Sequence, residues 1–220
     1  MTGYTITRNG ATLTTTSGAA TSFADTTVTP GTAYAYSARA TDAAGNLSPV
    51  SNSATVTTPS GGGTFTFTPT DDAYVDQAAA STNFGAAPRI VTDNSPVNDG
   101  LLKFTVATGG CAISSATLSL TVGTSSSDES GKGGDLHTTA STSWSEGTVT
   151  WASAPAANAA TIASLGAVAL GATYTLVVTS AVTGDGVASF RLTSTSSDGA
   201  RYFSKEGSST QQPKLTVTCA

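Results

Sequence analysis

The sequence predicts an all-β protein with two sandwich units, and three observations support this prediction. Apolar residues recur at every second position through short runs, as in strands with one buried face. Thr, Ala, Ser and Gly fill more than half of the 220 positions, and the branched Cβ of Thr favours extended backbone. No segment of ten residues repeats its apolar positions with the period of a helix.

The charge of the chain excludes several classes of protein. Only 10% of the residues are charged, and the formal net charge is −5. Helical bundles and coiled coils carry far more charged positions, and an acidic chain repels nucleic-acid phosphates. No run reaches the roughly 18 to 20 apolar residues of a membrane span. We therefore expect no nucleic-acid partner and no membrane insertion.

A short segment of Pro, Ser and Gly divides the chain. Residues 59–63 have the composition of a solvated linker. The predicted units are therefore residues 1–58 and residues 64–220.

Alternating strands joined by turns make up the first unit. Asn9-Gly10 forms a two-residue hairpin turn because both residues tolerate positive φ. The predicted strands are residues 4–8, 11–13, 34–40 and 54–57.

Several short motifs give this unit a family resemblance. They are Gly3-Tyr4, Arg8-Asn9-Gly10, Thr21-Ser22-Phe23, Asp25, Gly31-Thr32, Tyr34, Tyr36, Asp42, Ala44-Gly45-Asn46 and Ser48. Together they resemble the C-terminal part of a fibronectin type III domain, which is an immunoglobulin-like sandwich. Tyr34 falls where that family carries its corner tyrosine. The first two family strands and their core tryptophan have no counterpart, so we expect a truncated domain or one completed by another chain.

The second unit contains a longer series of strands. Turns rich in Gly, Ser and Asp separate runs of alternating residues, as in a β-sandwich of jelly-roll type. The runs are residues 65–67, 71–75, 89–93, 101–106, 116–122, 188–192 and 213–219.

Motifs in order along residues 64–220 resemble one family of modules. They are Asp72-Ala73-Tyr74-Val75, Asn83-Phe84-Gly85, Leu101-Leu102-Lys103-Phe104, Trp144-Ser145-Glu146-Gly147-Thr148-Val149-Thr150-Trp151, Pro155, Thr183-Gly184-Asp185-Gly186, Phe203-Ser204-Lys205-Glu206 and Pro213-Lys214-Leu215-Thr216-Val217. This unit is identified as a DNRLRE domain, also called carbohydrate-binding module family 96. The resemblance implies a non-catalytic module whose ligands include alginate, a polyuronate.

Basic side chains are the first candidates for contact with such a ligand. Guanidinium and ammonium groups pair with carboxylates through charge-assisted hydrogen bonds. The resemblance implies a cationic platform, for which the candidates are Arg89, Lys103, Lys205, Arg191 and Arg201. Isolated charges that protect strand edges are the alternative for each. Trp144 is a candidate sugar platform, with core packing of Trp144 and Trp151 as the alternative.

Candidate catalytic residues are few. His137 is the one histidine, and it follows a loop rich in Ser and Gly without a nucleophile motif. The glutamates Glu129, Glu146 and Glu206 could supply a glycosidase pair, but two of them lie in family motifs where fixing a loop is the simpler explanation. We expect no enzyme activity and no required cofactor.

Clustered Asp and Asn residues raise the question of calcium, which takes six to eight oxygen ligands. Asp71, Asp72 and Asp99 are the candidate ligands of a structural ion. Turn chemistry explains such residues equally well.

Cys111 and Cys219 are expected to form a disulfide. Two cysteines in a chain of extracellular character favour a bridge, and neither has the neighbours of a reactive thiol or zinc site. Two buried free thiols are the alternative.

The function that these observations favour is attachment of a secreted or cell-surface protein to an acidic polysaccharide. The first four residues show no features of a signal peptide, so we expect a piece of a larger protein with other domains. The alternatives are a structural or adhesive stalk that binds protein partners, and a fragment of a polysaccharide-active enzyme.

Overall fold

A computed structural model describes residues 1–18, 20–59 and 61–220. The chain divides into two compact units, Met1–Gly61 and Gly62–Ala220. Ser60, in the predicted linker, lies outside the described residues. Fifteen strands and one 3-10 turn, Thr179–Ala181, make up the regular structure of the described residues.

The first unit is one antiparallel sheet with the strand order β2-β1-β3-β4. Its strands are β1 (Gly3–Arg8), β2 (Ala11–Ser17), β3 (Ala33–Thr41) and β4 (Ala54–Thr57). Asn9 and Gly10 have φ values of 53° and 83°, as the predicted hairpin turn between β1 and β2 requires.

Tyr34 anchors the corner that leads into β3. Its hydroxyl accepts a hydrogen bond of 2.9 Å from the backbone N–H of Thr29, five residues upstream. Asp25 accepts bonds of 2.8 Å from Arg8 and from the hydroxyl of Tyr36. These contacts attach the irregular segment before β3 to the sheet. The fibronectin type III resemblance of this unit stays a prediction.

The second unit contains eleven strands among its described residues. They are β5 (Gly63–Phe67), β6 (Asp71–Asp76), β7 (Arg89–Asn94), β8 (Val97–Val106), β9 (Ile113–Thr121), β10 (Gly134–Thr139), β11 (Ala157–Leu165), β12 (Thr173–Val177), β13 (Gly186–Thr193), β14 (Ala200–Phe203) and β15 (Lys214–Cys219).

Two antiparallel sheets face each other in this unit. One has the order β11-β10-β13-β8-β7-β14 with β6 also paired to β8, and the other has the order β12-β9-β15-β5. Side chains from both sheets form one core, including Leu102, Phe104 and Phe190 from the larger sheet and Leu118 and Leu215 from the smaller. The predicted all-β sandwich is therefore confirmed.

The disulfide prediction is also confirmed. Cys111 and Cys219 are bonded, with Cα atoms 5.8 Å apart and a sequence separation of 108. The bridge attaches the end of β15 to the segment that precedes β9.

Candidate functional site

A long loop covers the outer face of the larger sheet. We call residues 140–156, between β10 and β11, the cover loop. Its Trp144 and Val149 pack on Ala73, Val75 and Leu101 from β6 and β8, forming an apolar cluster separate from the main core. Burial of this second apolar surface holds the loop flat against the strands.

Trp144 is the centre of this packing. Only 7% of its surface is exposed, and the indole N–H donates a hydrogen bond of 2.9 Å to the hydroxyl of Ser189 on β13. Trp151 packs against the same cluster. The structure thus places both tryptophans in the packing between cover loop and sheet.

Lys103 ties the cover loop to β8. Leu102 and Phe104 face the main core, so Lys103 points to the opposite face, where its ammonium donates to the carbonyl oxygen of Trp144. The same ammonium pairs with Asp71 Oδ2 at 2.9 Å and lies 4.9 Å from the centre of the Trp144 ring. Lys103 therefore positions the loop through two contacts with Trp144 and is itself held by Asp71 on β6.

Arg191 on β13 also ties the cover loop to the sheet. Its guanidinium contacts Asp99 Oδ2 at 2.9 and 2.8 Å and donates to the carbonyl of Pro155 at 2.7 Å. It also lies 5.2 Å from the centre of the Trp151 ring. Arg191 is buried, and burial raises the pKa of Asp99 although the charge of Arg191 lowers it.

Arg89 and Arg201 lie on a different surface of the second unit, formed by β7 and β14. Arg89 on β7 lies directly opposite Phe203 on β14, and Arg201 lies two positions before Phe203. Because opposite residues and alternate residues share a face, these three lie on the side away from Ile90 and Tyr202, which enter the core. Arg89 and Arg201 are half-buried, and Phe203 is buried. We call this face of β7 and β14 the basic ribbon.

The two arginines of the basic ribbon have different partners. Arg89 stacks on Phe203, with 3.9 Å between the guanidinium carbon and the ring centre, and pairs with Asp128 at 3.3 Å. Arg201 donates to the carbonyl of Ser127. No carboxylate in the described part of the chain forms an ion pair with Arg201. The side chain of Arg201 is half-buried.

Two stacked aromatic rings adjoin this surface. Tyr74 on β6 and Phe84 lie 4.4 Å apart between ring centres with nearly parallel planes, and both are half-buried. Burial and the charge of Asp76 raise the pKa of Tyr74, whereas the charge of Arg201 lowers it. Neither aromatic was among the predicted ligand residues, although both lie in the family motifs.

The loop that carries Phe84 is attached to the cover loop by its neighbours. Asn83 donates hydrogen bonds of 2.6 Å to the carbonyl oxygens of Glu146 and Val149. A Cβ at Gly85 would lie 2.0 Å from the carbonyl oxygen of Glu146, so only glycine fits there. The Asn83-Phe84-Gly85 motif therefore docks its own loop on the cover loop.

Lys205 follows β14 and stands among carboxylates. Its ammonium contacts Glu146 Oε1 at 2.6 Å and Glu206 Oε1 at 3.4 Å, and its backbone N–H donates to Asp72 Oδ2 at 2.9 Å. Glu146 Oε2 in turn accepts the backbone N–H of Asp72 at 3.1 Å. Burial raises the pKa of Asp72 to about 7, helped by the charges of Glu206 and Glu146.

The candidate calcium ligands lie in three different settings. Asp71 pairs with Lys103, and Asp99 pairs with Arg191. Asp72 instead stands within 4.8 Å, ligand atom to ligand atom, of Glu146 and Glu206. Sequence reasoning assigned those glutamates to loop fixing; their separation along the chain gives no sign of this grouping.

His137 lies on the outer face of β10 with main-chain neighbours. Its Nδ1 is 3.0 Å from the carbonyl oxygen of Asn158 and 3.1 Å from that of Ala160, and Nε2 is 3.4 Å from the hydroxyl of Thr193. These contacts join β10 to its neighbours β11 and β13.

The family comparison agrees with this architecture. The family model of "Carbohydrate-binding module family 96" matches residues 63–219. The chain belongs to this family. A search of curated proteins finds no match to the chain. Among the described residues, no helix is long and apolar enough to cross a membrane. The second unit is accordingly a carbohydrate-binding module.

Proposed function

We propose that this module binds an acidic polysaccharide such as alginate on the basic ribbon and the aromatic pair beside it. The observation that carries the proposal is the position of Arg201, a guanidinium without a carboxylate partner among the described residues. Arg89 on β7 and Lys205, two residues after the end of β14, add two further cations.

The chemistry of a uronate suits this surface. A guanidinium presents a planar set of donors that matches a carboxylate, and such bonds are stronger than those between neutral groups. The stacked rings of Tyr74 and Phe84 offer apolar surface for the C–H face of a sugar. Half-buried rings that are already stacked lose little freedom when a ligand binds.

The remaining candidate residues act by position. Lys103, Arg191 and Trp144 hold the cover loop, which in turn supports Phe84 through Asn83. We therefore assign Lys103, Arg191 and Trp144 to positioning and Arg89, Arg201 and Lys205 to contact with the polysaccharide.

The setting of this module is a secreted or cell-surface protein with further domains. The disulfide supports an oxidising compartment. One exposed patch with few free cations predicts weak binding by a single module, which several modules or neighbouring domains raise through multivalency.

The test compares charge-matched substitutions in the full chain. Arg201→Gln and Lys205→Gln should each weaken binding to alginate, measured by affinity electrophoresis at low salt. Lys214→Gln on β15 is the control because it removes one positive charge from the other sheet. Wild-type binding should fall as salt rises, since exposed charges are screened over about 8 Å at physiological ionic strength.

Neutral polysaccharides provide the second comparison. Cellulose should bind less well than alginate and should not respond to the Arg201 substitution. Equal binding of both polymers, with no difference between Arg201→Gln and Lys214→Gln, would show that the basic ribbon is not the site.

A further inference from the structure

Three carboxylates from distant parts of the chain converge beside the basic ribbon. Asp72 lies on β6, Glu146 in the cover loop and Glu206 directly after Lys205. One ligand atom of each lies within 4.8 Å of the others. We call these three residues the carboxylate triad.

Asp72 gives the strongest indication that the carboxylate triad receives a ligand. Its side chain has no exposed surface, and its Oδ1 atom has no hydrogen-bond partner in the described residues. An unpaired buried carboxylate oxygen costs free energy unless a donor or a cation satisfies it. A cation from outside the chain would supply the missing partner.

Charge points to the identity of that group. The three carboxylates face one ammonium, that of Lys205, whereas the neighbouring Asp71 is paired with Lys103. The triad therefore carries more negative charge than the single ammonium of Lys205 compensates. A divalent cation balances this excess.

We infer that the carboxylate triad binds a calcium ion. Calcium accepts six to eight oxygen ligands in irregular arrangements, and carboxylates can bind it through one oxygen or both. Magnesium demands near-ideal octahedral geometry, and zinc prefers nitrogen and sulfur ligands, so this all-oxygen site favours calcium. Waters would complete the coordination on the side of exposed Glu206.

Lys205 is the internal competitor of the ion. Its ammonium now contacts Glu146 and Glu206, two of the three ligands. A bound divalent cation repels this ammonium and takes over its partners. Removing the ammonium should therefore strengthen calcium binding, an effect that no purely structural role of Lys205 predicts.

The experiment measures cation binding to the full chain without any polysaccharide. Calcium is titrated by calorimetry after removal of metals, and terbium luminescence excited through tryptophan reports direct binding near Trp144. We expect a dissociation constant on the order of 10⁻⁴ to 10⁻³ M, as in other exposed extracellular sites. Calcium should also raise the melting temperature relative to a chelator.

Matched variants identify the ligands. Glu206→Gln should weaken calcium binding by about tenfold or more because it removes a charged ligand. Glu129→Gln, an exposed acidic residue outside the triad, should leave binding unchanged. Lys205→Met should bind calcium more tightly than the wild type. Circular dichroism confirms that each variant is folded.

Three results would overturn the inference. They are the absence of any calcium or terbium binding up to millimolar concentration, equal binding by Glu206→Gln and Glu129→Gln, and weaker binding by Lys205→Met. None of them bears on the effect of Arg201→Gln on polysaccharide binding, because Arg201 lies outside the carboxylate triad.

Discussion

Lys103 and Asp71 lie opposite each other on β8 and β6 and form an ion pair of 2.9 Å beneath the cover loop. Their side chains are 14% and 17% exposed, so the pair is largely shielded from water. Asp71 also accepts the backbone N–H of Glu146 at 3.0 Å. The Lys103–Asp71 pair thus holds the cover loop at the carbonyl oxygen of Trp144 and at the backbone N–H of Glu146.

The first prediction follows from this burial. Lys103→Met should lower the free energy of unfolding by about 3 kcal/mol, because it leaves a largely buried carboxylate without its cation. Lys132→Met is the matched control: Lys132 pairs with Asp135 at 2.6 Å, but its side chain is 31% exposed, so the loss should stay within about 1 kcal/mol. Urea denaturation followed by tryptophan fluorescence measures both losses.

Both tryptophans of the chain lie in the second unit, so this fluorescence reports that unit alone. Equal, small losses for the two lysine variants would contradict the role assigned to Lys103.

Outward cations on strands could be predicted from the sequence, but their partners could not. Lys103 stands between two apolar residues in a period-two pattern, and Arg191 does the same, so this pattern places both on the outer face. Their acceptors are carbonyl oxygens of Trp144 and Pro155 in the cover loop. No periodicity determines the path of such a loop, and the contact therefore appears only in three dimensions.

Four strands of the second unit were not predicted from the sequence, namely β10, β11, β12 and β14. The sequence of β11 consists mainly of small residues, and β10 contributes only Leu136 to the main core. The strands β12 and β14 have five and four residues, too few for a clear alternation. Their positions are set by pairing with neighbouring strands in the folded sheets.

The carboxylate triad shows the same limit at the site. Asp72 and Glu146 are 74 positions apart, and Asp72 and Lys205 are 133 apart. Sequence reasoning placed Asp72 with its chain neighbour Asp71, but adjacent strand residues point to opposite faces. The residues of the triad meet because the cover loop and the segment after β14 both contact Asp72 near the start of β6.

The second prediction concerns the docking of the two loops. Gly85→Ala should destabilise the second unit by about 3 kcal/mol, because the added Cβ would overlap the carbonyl oxygen of Glu146 at 2.0 Å. Gly147→Ala is the control, since a Cβ there meets nothing within 4 Å and should change stability by less than about 0.5 kcal/mol. Thermal unfolding of both variants decides the matter, and equal melting temperatures would refute the packing argument.

The third prediction concerns the disulfide between Cys111 and Cys219. The bridge closes a segment with a sequence separation of 108, so the chain-entropy relation assigns it about 4 to 5 kcal/mol. Urea denaturation with and without reductant should show a loss of that order, with the slope changed because the reduced unfolded chain is more expanded. An unchanged midpoint would mean that the bridge adds no stability.

The last prediction joins the two proposals through Lys205. When calcium takes Glu146 and Glu206, the Lys205 ammonium is released toward the basic ribbon, where it can bind a uronate carboxylate. Calcium should therefore strengthen binding of an oligouronate too short to form a calcium gel. By linkage, the oligouronate should strengthen calcium binding by the same factor. Calorimetric titrations in both orders measure these factors. In Lys205→Met the coupling should vanish while weak oligouronate binding through Arg201 persists; coupling that survives this substitution would show that Lys205 does not transmit it.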